Sequence, residues 1–287
     1  MIREELAREL QGHGVEFGPG CNPLAMGPSV ESVKYCDRLD RKTFLHCFPE
    51  AQRDIEDFPD PIDYRVDFGR SRFADTIGKE ALDFVIANHV LEHLVNPIRF
   101  LEQCYQCLKP GGVLYLALPD KRNIFDRDRS RTPLSDLVAR YQADAGEVSE
   151  EQVLDFINGL EKPRPRLTRS APDFPRLLAL HRERSIHVNV WLIDDIVELF
   201  QYLARELEIP FQMLDGGVTA HEFVLLFRKT SQRDTVNMYT YVFARIYAEA
   251  AVRATHVAGS WRLRERMARL NRKWKKLVWR VAAVALG

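Results

Sequence analysis

An acidic residue and two glycines stand together near the N-terminus, in the hexapeptide Val-Glu-Phe-Gly-Pro-Gly. Glu16 precedes Gly18 and Gly20 at the end of an apolar run, where the first strand of an α/β protein passes into its first crossover. Glycines in such a loop allow the backbone to approach a ligand closely. The same pattern also fits a tight turn without a ligand, and the hexapeptide alone favours neither interpretation.

Acidic and aromatic side chains follow the next two apolar runs. Asp37 ends the run that begins at Val33, and a carboxylate at the tip of a second strand can accept hydrogen bonds from both hydroxyls of a ribose. Asp37 is preferred to Asp40 for this role. Asp67 and Phe68 then offer a polar acceptor and a ring, which suit the amino group and the face of a purine. Each acid alone is more often a solvated carboxylate, but their order along the chain predicts a ligand with a ribose and a purine.

A His-x-x-Glu-His spacing at His89, Glu92 and His93 matches a zinc-binding signature. Two histidines four residues apart share a face only in a helix, whereas the apolar run before His89 predicts that this residue ends a strand. A catalytic zinc ion also takes a third protein ligand, and nothing downstream identifies one. Cys104 and Cys107 lie in an amphipathic helical pattern without a second cysteine pair, which is typical of buried thiols. The sequence therefore predicts no metal site.

Charged residues are dense after the fifth apolar run, in the segment Pro-Asp-Lys-Arg that begins at Pro119. Asp120 and Lys121 lie closest to the predicted sheet, whereas the charges further along are typical of a solvated loop. A second polar cluster, His-Val-Asn-Val-Trp, begins at His187. Because histidine titrates near neutral pH, His89 or His187 is the candidate base, with Asp120 orienting or replacing it. A lone histidine is nevertheless more often structural than catalytic.

Apolar runs of strand length alternate with helical patterns through the first half of the chain. This alternation predicts βαβ units, a parallel sheet and therefore an α/β fold. Helical spacing is clearest over Pro97–Leu108 and again over Leu192–Leu207. The Asp-Gly-Gly that begins at Asp215 predicts the turn of an antiparallel hairpin at the sheet edge. The strand candidates are Gly14–Phe17, Val33–Cys36, Tyr64–Phe68, Leu82–Ala87, Val113–Leu118, Phe211–Leu214 and His221–Phe227.

The composition is that of a globular protein. Of 287 residues, 46% are hydrophobic and 29% are charged, which excludes a disordered, collagen-like or disulfide-stapled chain. The 5 cysteines are scattered and the charged N-terminus has no leader pattern, which predicts reduced thiols in a cytoplasmic protein. No apolar run approaches the roughly 18 residues of a membrane span.

The hexapeptide, the acidic residues and the Leu-Lys-Pro-Gly-Gly turn that begins at Leu108 resemble the class I S-adenosylmethionine-dependent methyltransferases over about residues 12–230. The resemblance implies a Rossmann-like, seven-stranded, mostly parallel sheet with an antiparallel last strand, and S-adenosylmethionine as the cofactor. Asn22 stands where many members have a third glycine, and the missing glycine also disfavours a nicotinamide-dependent oxidoreductase. The residues that the resemblance places at the cofactor are Glu16, Gly18 and Gly20 beside the methionine part, Asp37 at the ribose, Asp67 and Phe68 at the adenine, and Asn88 and His89 beside the sulfonium.

The clusters at Asp120 and His187 are similar to those of a bacterial subgroup that often acts on surface glycans. This similarity implies that Asp120, Lys121 and His187 face the transferred methyl group. The Asn/Asp-Pro-Pro-Tyr/Phe motif, which the family uses on amino nitrogens of nucleic acids and on amides, is replaced by the Asn-His-Val-Leu that begins at Asn88. We therefore expect O-methylation of a sugar, glycan or related small-molecule hydroxyl, without a nucleic-acid partner. The alternative is a non-catalytic methyltransferase-like scaffold in a glycan-assembly complex.

Residues 261–287 carry nine basic side chains and one acidic one, whereas residues 1–260 carry a net charge of −8. Apolar residues recur every three or four positions from Leu263 to Val284, which predicts an amphipathic helix. Such a helix fits an anionic membrane surface, a partner protein or its own domain. The predicted domains are a methyltransferase domain over residues 1–230, with a helical insertion at about 121–190, and a helical extension over 231–287. The expected location is cytoplasmic, peripheral at the inner membrane face.

Overall fold

A seven-stranded mixed sheet organises the molecule in a computed structural model that describes residues 2–160, 166–219 and 221–231. The strand order is β3-β2-β1-β4-β5-β7-β6, with the first four pairings parallel and β7 antiparallel to both of its neighbours. The predicted α/β class and the reversed last strand are therefore confirmed. The strands are β1 (Gly12–Phe17), β2 (Val30–Asp37), β3 (Tyr64–Arg65), β4 (Leu82–Asn88), β5 (Leu108–Pro119), β6 (Phe211–Val218) and β7 (Glu222–Lys229).

The central strand β4 explains why the sheet lies in the interior. Six of its seven residues are buried, as expected for a parallel strand that is covered on both faces. On one face an apolar cluster includes Phe17, Phe100 and Leu116, and on the other a cluster includes Leu10 and Tyr115. These two layers hold the carboxyl ends of β1 and β4 in register, with Phe17 opposite Ala87.

Helices cover the sheet, and their local sequences explain where they begin. The Asn96 side chain accepts a hydrogen bond from the Arg99 backbone N–H at 3.0 Å, and Pro97 fits the first turn of α4, where no intrahelical donor is needed. Along α8 the buried residues recur at helical spacing from Ile193 to Leu203. The helices are α1 (Ile2–Ala7), α2 (Arg41–Cys47), α3 (Ala74–Ile77), α4 (Pro97–Cys107), α5 (Leu134–Gln142), α6 (Glu150–Leu160), α7 (Phe174–Arg184) and α8 (Ile193–Glu206).

Three of these helices, α5 to α7, lie between β5 and α8, where the sequence predicts a helical insertion. The insertion has a small apolar cluster of its own, which includes Val153, Ile157 and Phe174. Val95, from the segment after β4, and Val188, from the segment before α8, belong to the same cluster. The insertion is therefore packed against the segments that follow β4 and precede α8.

Several predicted boundaries were wrong. The turn predicted at Asp215–Gly217 lies inside β6, where the pairing with β7 shifts register between Met213 and Asp215. The chain reverses later, between Val218 and Glu222. The Lys-Pro-Gly-Gly turn lies inside β5, as an irregularity between the pairs Leu82↔Leu108 and Phe84↔Val113. The third strand ends at Arg65 rather than Phe68, which leaves Asp67 and Phe68 in the loop beyond it.

The predicted extension over residues 231–287 and its basic helix lie outside the described residues, apart from Ser231. Within the described ranges, no helix has the length and hydropathy that crossing a membrane requires.

Candidate active site

A cleft of ≈ 610 Å³ opens beyond the carboxyl ends of β1, β2 and β4. Gly18 follows β1, Asp37 ends β2 and His89 follows β4, and all three residues line the cleft. Asp67 and Phe68, from the loop after β3, also line it. Because open α/β sheets bind ligands beyond the carboxyl ends of their strands, this cleft has the position of a ligand site. The structure thus brings five of the residues expected at the cofactor to one cleft.

Gly18 makes the tight passage from β1 into the loop. Its φ of +57° lies in the left-handed region, and its backbone N–H donates to the Cys36 carbonyl at 2.9 Å. A Cβ at this position would lie 3.2 Å from Val90 Cγ2 and 3.6 Å from Phe68 Cζ. Gly20 has a similar φ of +54°, but nothing lies within 4 Å of its added Cβ. Gly18 therefore keeps this part of the cleft free of side-chain atoms.

Glu16 and Asn88 are buried and tie the loop after β1 to the end of β4. Both Glu16 carboxylate oxygens accept from the Leu24 backbone N–H at 3.1 Å, and Oε1 also accepts from Asn88 Nδ2 at 3.3 Å. Burial raises the pKa of Glu16 to about 7, although the hydrogen bonds from Leu24 and Asn88 oppose the shift. Asn88 Oδ1 is buried without a hydrogen-bond partner in the described part of the chain. Asn88, like Glu16 and Gly20, is not among the residues that line the cleft, but it directly precedes His89, which is.

The two carboxylates expected at the ribose and adenine differ in burial. Asp37 is 8% exposed, accepts from the Leu39 backbone N–H at 2.9 Å, and has a pKa raised chiefly by burial. Asp67 is more open and accepts from the Gly69 backbone N–H at 3.2 Å. Beside it the Phe68 ring packs edge-on against Phe17, with centroids 5.4 Å apart. This corner of the cleft offers an apolar ring between two hydrogen-bond acceptors.

His89 is held between two carboxylates. Its Nδ1 lies 3.1 Å from Glu92 Oε1 and its Nε2 lies 2.8 Å from Glu222 Oε2, so both ring nitrogens donate. Burial lowers the pKa of His89, but the hydrogen bonds and charges of Glu222 and Glu92 outweigh it and raise the pKa to about 9. Glu222 also accepts from Arg3 Nε at 2.7 Å, and its pKa is lowered to about 2 because these bonds outweigh its burial. His89 is therefore a cation at neutral pH, with no lone pair to accept a proton.

Asp120 and Lys121 do not line the cleft. Asp120 follows β5, is 1% exposed and forms an ion pair with Arg122, whose Nε lies 2.9 Å from Oδ1. The Arg122 backbone N–H also donates to Asp120 Oδ1 at 3.0 Å. Lys121 Nζ donates to the Arg127 carbonyl at 2.7 Å. In this structure both side chains thus stabilise the turn after β5.

His187 belongs to a cluster that sequence reasoning did not assemble, the Glu92–His93–His187 cluster. One carboxylate oxygen and one nitrogen from each ring all lie within 4.8 Å of one another. His187 does not line the cleft, whereas His93 does, and the two rings meet edge to face with centroids 4.8 Å apart. Burial lowers the pKa of His93, so its imidazole is neutral at neutral pH.

The signal for this cluster was present but incomplete in the sequence. Glu92 and His93 were recognised as parts of a ligand motif, and His187 was recognised as a separate polar cluster. No spacing rule links His93 to His187, because the insertion that contains α5 to α7 separates them. His89, the first histidine of the motif, points instead to Glu222.

Comparison with known proteins decides the family. A family model described as a methyltransferase domain matches residues 3–202. The chain belongs to this methyltransferase family. It is an S-adenosylmethionine-dependent methyltransferase, and S-adenosylmethionine is its cofactor. The cleft beyond β1, β2 and β4 lies within the matched residues over most of its lining.

Individual relatives are distant. The chain is 35% identical over 68 residues to the mitochondrial ubiquinone biosynthesis O-methyltransferase of Rattus norvegicus, which is 23% of this chain and 20% of that protein. The match therefore spans about a fifth of the relative's length. An S-adenosylmethionine-dependent methyltransferase structure from Thermotoga maritima is 12% identical, with 77% of this chain and 84% of that chain covered and a TM-score of 0.40. One from Methanosarcina mazei is 14% identical, with coverage of 77% and 93% and a TM-score of 0.37.

Proposed function

We propose that this methyltransferase transfers the methyl group of S-adenosylmethionine to a hydroxyl of a sugar, glycan or related small molecule. The observation that carries the proposal is the neutral His93 imidazole on the cleft wall, backed by His187 and Glu92. A hydroxyl must lose a proton as it is methylated, and neutral imidazoles assist that loss. The sequence adds support, since Asn88–Leu91 replaces the motif that the family uses on amino nitrogens.

The cofactor is proposed to lie along the carboxyl ends of the strands. Asp37 would accept from the ribose hydroxyls, Asp67 and Phe68 would contact the adenine, and Gly18 would leave room for the methionine part. Glu16 and Gly20 would shape the loop, and the free Asn88 Oδ1 would accept from the ammonium group of the methionine part. Asp37 and Asn88 end the strands β2 and β4, which the sheet holds in register, and this favours precise orientation of the sulfonium.

The three residues that the sequence suggests for catalysis, His89, Asp120 and His187, have different proposed roles. His89, as a cation between Glu92 and Glu222, positions Glu92 rather than accepting a proton. Asp120 orients the turn after β5, because its carboxylate is occupied by Arg122. His187 has its Nδ1 on Asp126 Oδ2 at 2.5 Å, which leaves Nε2 as the free acceptor of a His–Asp pair. His187 is thus the member of the three with a free imidazole nitrogen, but it meets the cleft only through His93, whose ring it contacts.

The similarity over 68 residues to the ubiquinone biosynthesis O-methyltransferase supports oxygen as the methylated atom. The glycan preference comes from the sequence around Asp120 and His187, which resembles that of the surface-glycan subgroup. Methyl transfer is an in-line displacement in which the acceptor oxygen attacks the methyl carbon as the sulfonium leaves. The products are a methyl ether, S-adenosylhomocysteine and a proton.

An acceptor screen with methyl-labelled S-adenosylmethionine tests this proposal. We expect label in sugars or glycan fragments, in a bond that resists base as an ether does. We expect His187→Gln to lower kcat at least about 100-fold, as loss of a group that assists proton removal does, while the exposed control His46→Gln keeps the wild-type rate. Label found only in nucleic acid or in amines, with no labelled hydroxyl, would contradict the proposal.

The basic segment 261–287 is proposed to bind an anionic membrane surface or a partner protein. Its nine basic side chains against a body of net charge −8 favour attraction to an anionic surface. Binding to such a surface would bring the enzyme close to membrane-linked glycans, which belong to the proposed class of acceptors. A peripheral position at the inner membrane face belongs to the same proposal.

A further inference from the structure

Three atoms with metal-ligand chemistry meet beside the cofactor cleft. Glu92 lies in the 3-10 turn Leu91–His93 after β4, and His187 lies in the segment between α7 and α8. A carboxylate oxygen and two imidazole nitrogens from the Glu92–His93–His187 cluster lie within 4.8 Å of one another. His93 is at the same time part of the cleft wall. The three ligand atoms of the cluster therefore lie close to one another, and His93 places the cluster at the wall of the proposed substrate cleft.

Each histidine has its other ring nitrogen fixed by an acceptor. His93 Nδ1 lies 3.0 Å from the Ile186 carbonyl, and His187 Nδ1 lies 2.5 Å from Asp126 Oδ2. Because a carbonyl and a carboxylate only accept, both Nδ1 atoms carry the proton, and in the neutral rings both Nε2 atoms keep a lone pair. This is the arrangement that orients histidine ligands in metal sites.

The carboxylate of Glu92 has one committed oxygen and one free oxygen. Oε1 lies 3.1 Å from His89 Nδ1, whereas Oε2 is buried and has no hydrogen-bond partner in the described part of the chain. The Glu92 side chain is 0% exposed. A buried carboxylate oxygen without a partner costs free energy, because it has lost its hydration without replacement. A bound cation would supply the missing partner.

The backbone holds the two ligand-bearing segments together. The Glu92 carbonyl accepts from the backbone N–H groups of Val188 at 2.7 Å and Asn189 at 2.9 Å. Asn189 Nδ2 then donates to the carbonyls of Leu91 at 3.0 Å and Leu94 at 2.7 Å. The two residues that follow His187 are therefore hydrogen-bonded to the turn that contains Glu92 and His93, so the cluster is preorganised.

We propose that Glu92, His93 and His187 bind a divalent transition-metal ion of the zinc class. Two histidines and one carboxylate, with a further position open to substrate, are a ligand set that zinc and its neighbours accept. Bonds of about 2.0–2.2 Å in tetrahedral geometry place ligand atoms roughly 3.4 Å apart, so ligand atoms now within 4.8 Å of one another must close by about 1.4 Å at most. The sequence argued against a metal because the third ligand was not identifiable, and the structure supplies it in His187.

The ion would also deepen the proposed function, and this second step rests on that function. A divalent cation beside the cleft lowers the pKa of a bound acceptor hydroxyl, as it does for water. The O–H bond then breaks with the proton released to solvent, the oxygen bonds to the methyl carbon, and the sulfur keeps the electron pair of the broken S–CH₃ bond. His187 would act here as a ligand rather than as the proton acceptor.

The first test measures metal binding without any methyl transfer. The full chain, free of affinity tags and stripped with chelator, is titrated with Zn²⁺ by calorimetry and with Co²⁺ by visible absorption. We expect one ion per chain and a Co²⁺ spectrum of a low-coordinate site. Loss of an outer partner costs about 10–100-fold in metal affinity, so Glu92→Gln, His93→Gln and His187→Gln should each weaken binding by more than about 100-fold. Asp126 holds Nδ1 of His187, so Asp126→Asn should weaken metal binding by about 10–100-fold.

His46→Gln is the matched control, because it removes an exposed histidine outside the cluster and should leave binding unchanged. Circular dichroism confirms that each variant is folded before its affinity is compared. Zinc affinity that is the same in wild type and in all three folded cluster variants would overturn the proposal, as would wild type that binds neither ion.

A second measurement separates the metal site from the proposed function. Zinc bound at the cluster with no methylated hydroxyl in the screen would keep the site and overturn the hydroxyl proposal. Methyl transfer that continues at full rate in chelator-stripped protein would overturn the part of the inference that assigns the ion to acceptor activation. Activity that is lost with the metal and restored by Zn²⁺ is the expected result.

Discussion

The charge state of His89 gives a stability prediction whose size follows from the structure. His89 donates to Glu92 and Glu222 at 3.1 and 2.8 Å, and its pKa in the folded protein is raised to about 9. Against an unperturbed value of 6.5, at 1.36 kcal/mol per pKa unit, the shift corresponds to about 3 kcal/mol of stabilisation before screening by water. The side chain is 39% exposed, so water screens these ion pairs and we expect about 1–2 kcal/mol.

The sign of the pH dependence is fixed by the direction of that shift. A pKa raised on folding means that the folded state binds the proton more tightly than the unfolded state. The stabilisation is therefore fully present below about pH 6.5 and is lost progressively as the pH rises through about 9. In His89→Gln this contribution is absent at every pH, so the stability gap between wild type and variant should shrink on the alkaline side.

Urea unfolding of the cofactor-free, chelator-treated protein at pH 6, 8 and 10 measures this gap. We expect wild type to exceed His89→Gln by about 1–2 kcal/mol more at pH 6 than at pH 10. The control His46→Gln should follow wild type throughout, because this histidine is exposed and the ion pairs of His89 with Glu92 and Glu222 remain in the variant. A gap between wild type and His89→Gln that stays constant from pH 6 to 10 would refute the assignment of a protonated His89.

Three further predictions concern the cleft, the core and the basic segment. Gly18→Ala should weaken S-adenosylmethionine binding by about 10-fold or more, measured by calorimetry, whereas Gly20→Ala, with the same backbone strain but open space, should weaken it less. Phe100→Ala should lower the free energy of unfolding by about 3–5 kcal/mol in urea, because its buried ring packs among three other phenylalanines. In the full chain, the double change Lys275→Glu and Lys276→Glu should reduce co-sedimentation with phosphatidylserine vesicles, and equal sedimentation of both proteins would contradict the membrane proposal.

The fold was largely predictable because its signals are local. Each strand candidate corresponds to an observed strand, since buried parallel strands such as Leu82–Asn88 are nearly continuous apolar runs. The hairpin turn was misplaced because Asp215 and its glycines are ordinary turn residues, and only the pairing across β6 and β7 shows that they belong to an irregular strand. Boundaries of this kind depend on long-range register, which composition does not contain.

The candidate site was predictable where it follows the strand ends and unpredictable where it depends on the insertion. Gly18, Asp37 and His89 occupy the ends of three strands, so strand order alone brings them to one cleft. The hydrogen bond between His89, which follows β4, and Glu222, the first residue of β7, has no signature in the sequence. The approach of His187 to Glu92 is set by backbone hydrogen bonds from Val188 and Asn189 to the Glu92 carbonyl, which join segments that lie far apart in the chain.

Calorimetric titration of the purified protein with S-adenosylmethionine tests the central claim, that the cleft beyond β1, β2 and β4 is the cofactor site. We expect one saturable site that S-adenosylhomocysteine competes for and NAD does not. Asp37→Ala removes a buried carboxylate from the cleft and should weaken binding about 10–100-fold, the loss expected for hydrogen bonds to a charged group. Asp54→Ala, an exposed aspartate on the loop between β2 and β3, should bind as wild type does. Binding that is equally tight in wild type and in folded Asp37→Ala would contradict the account.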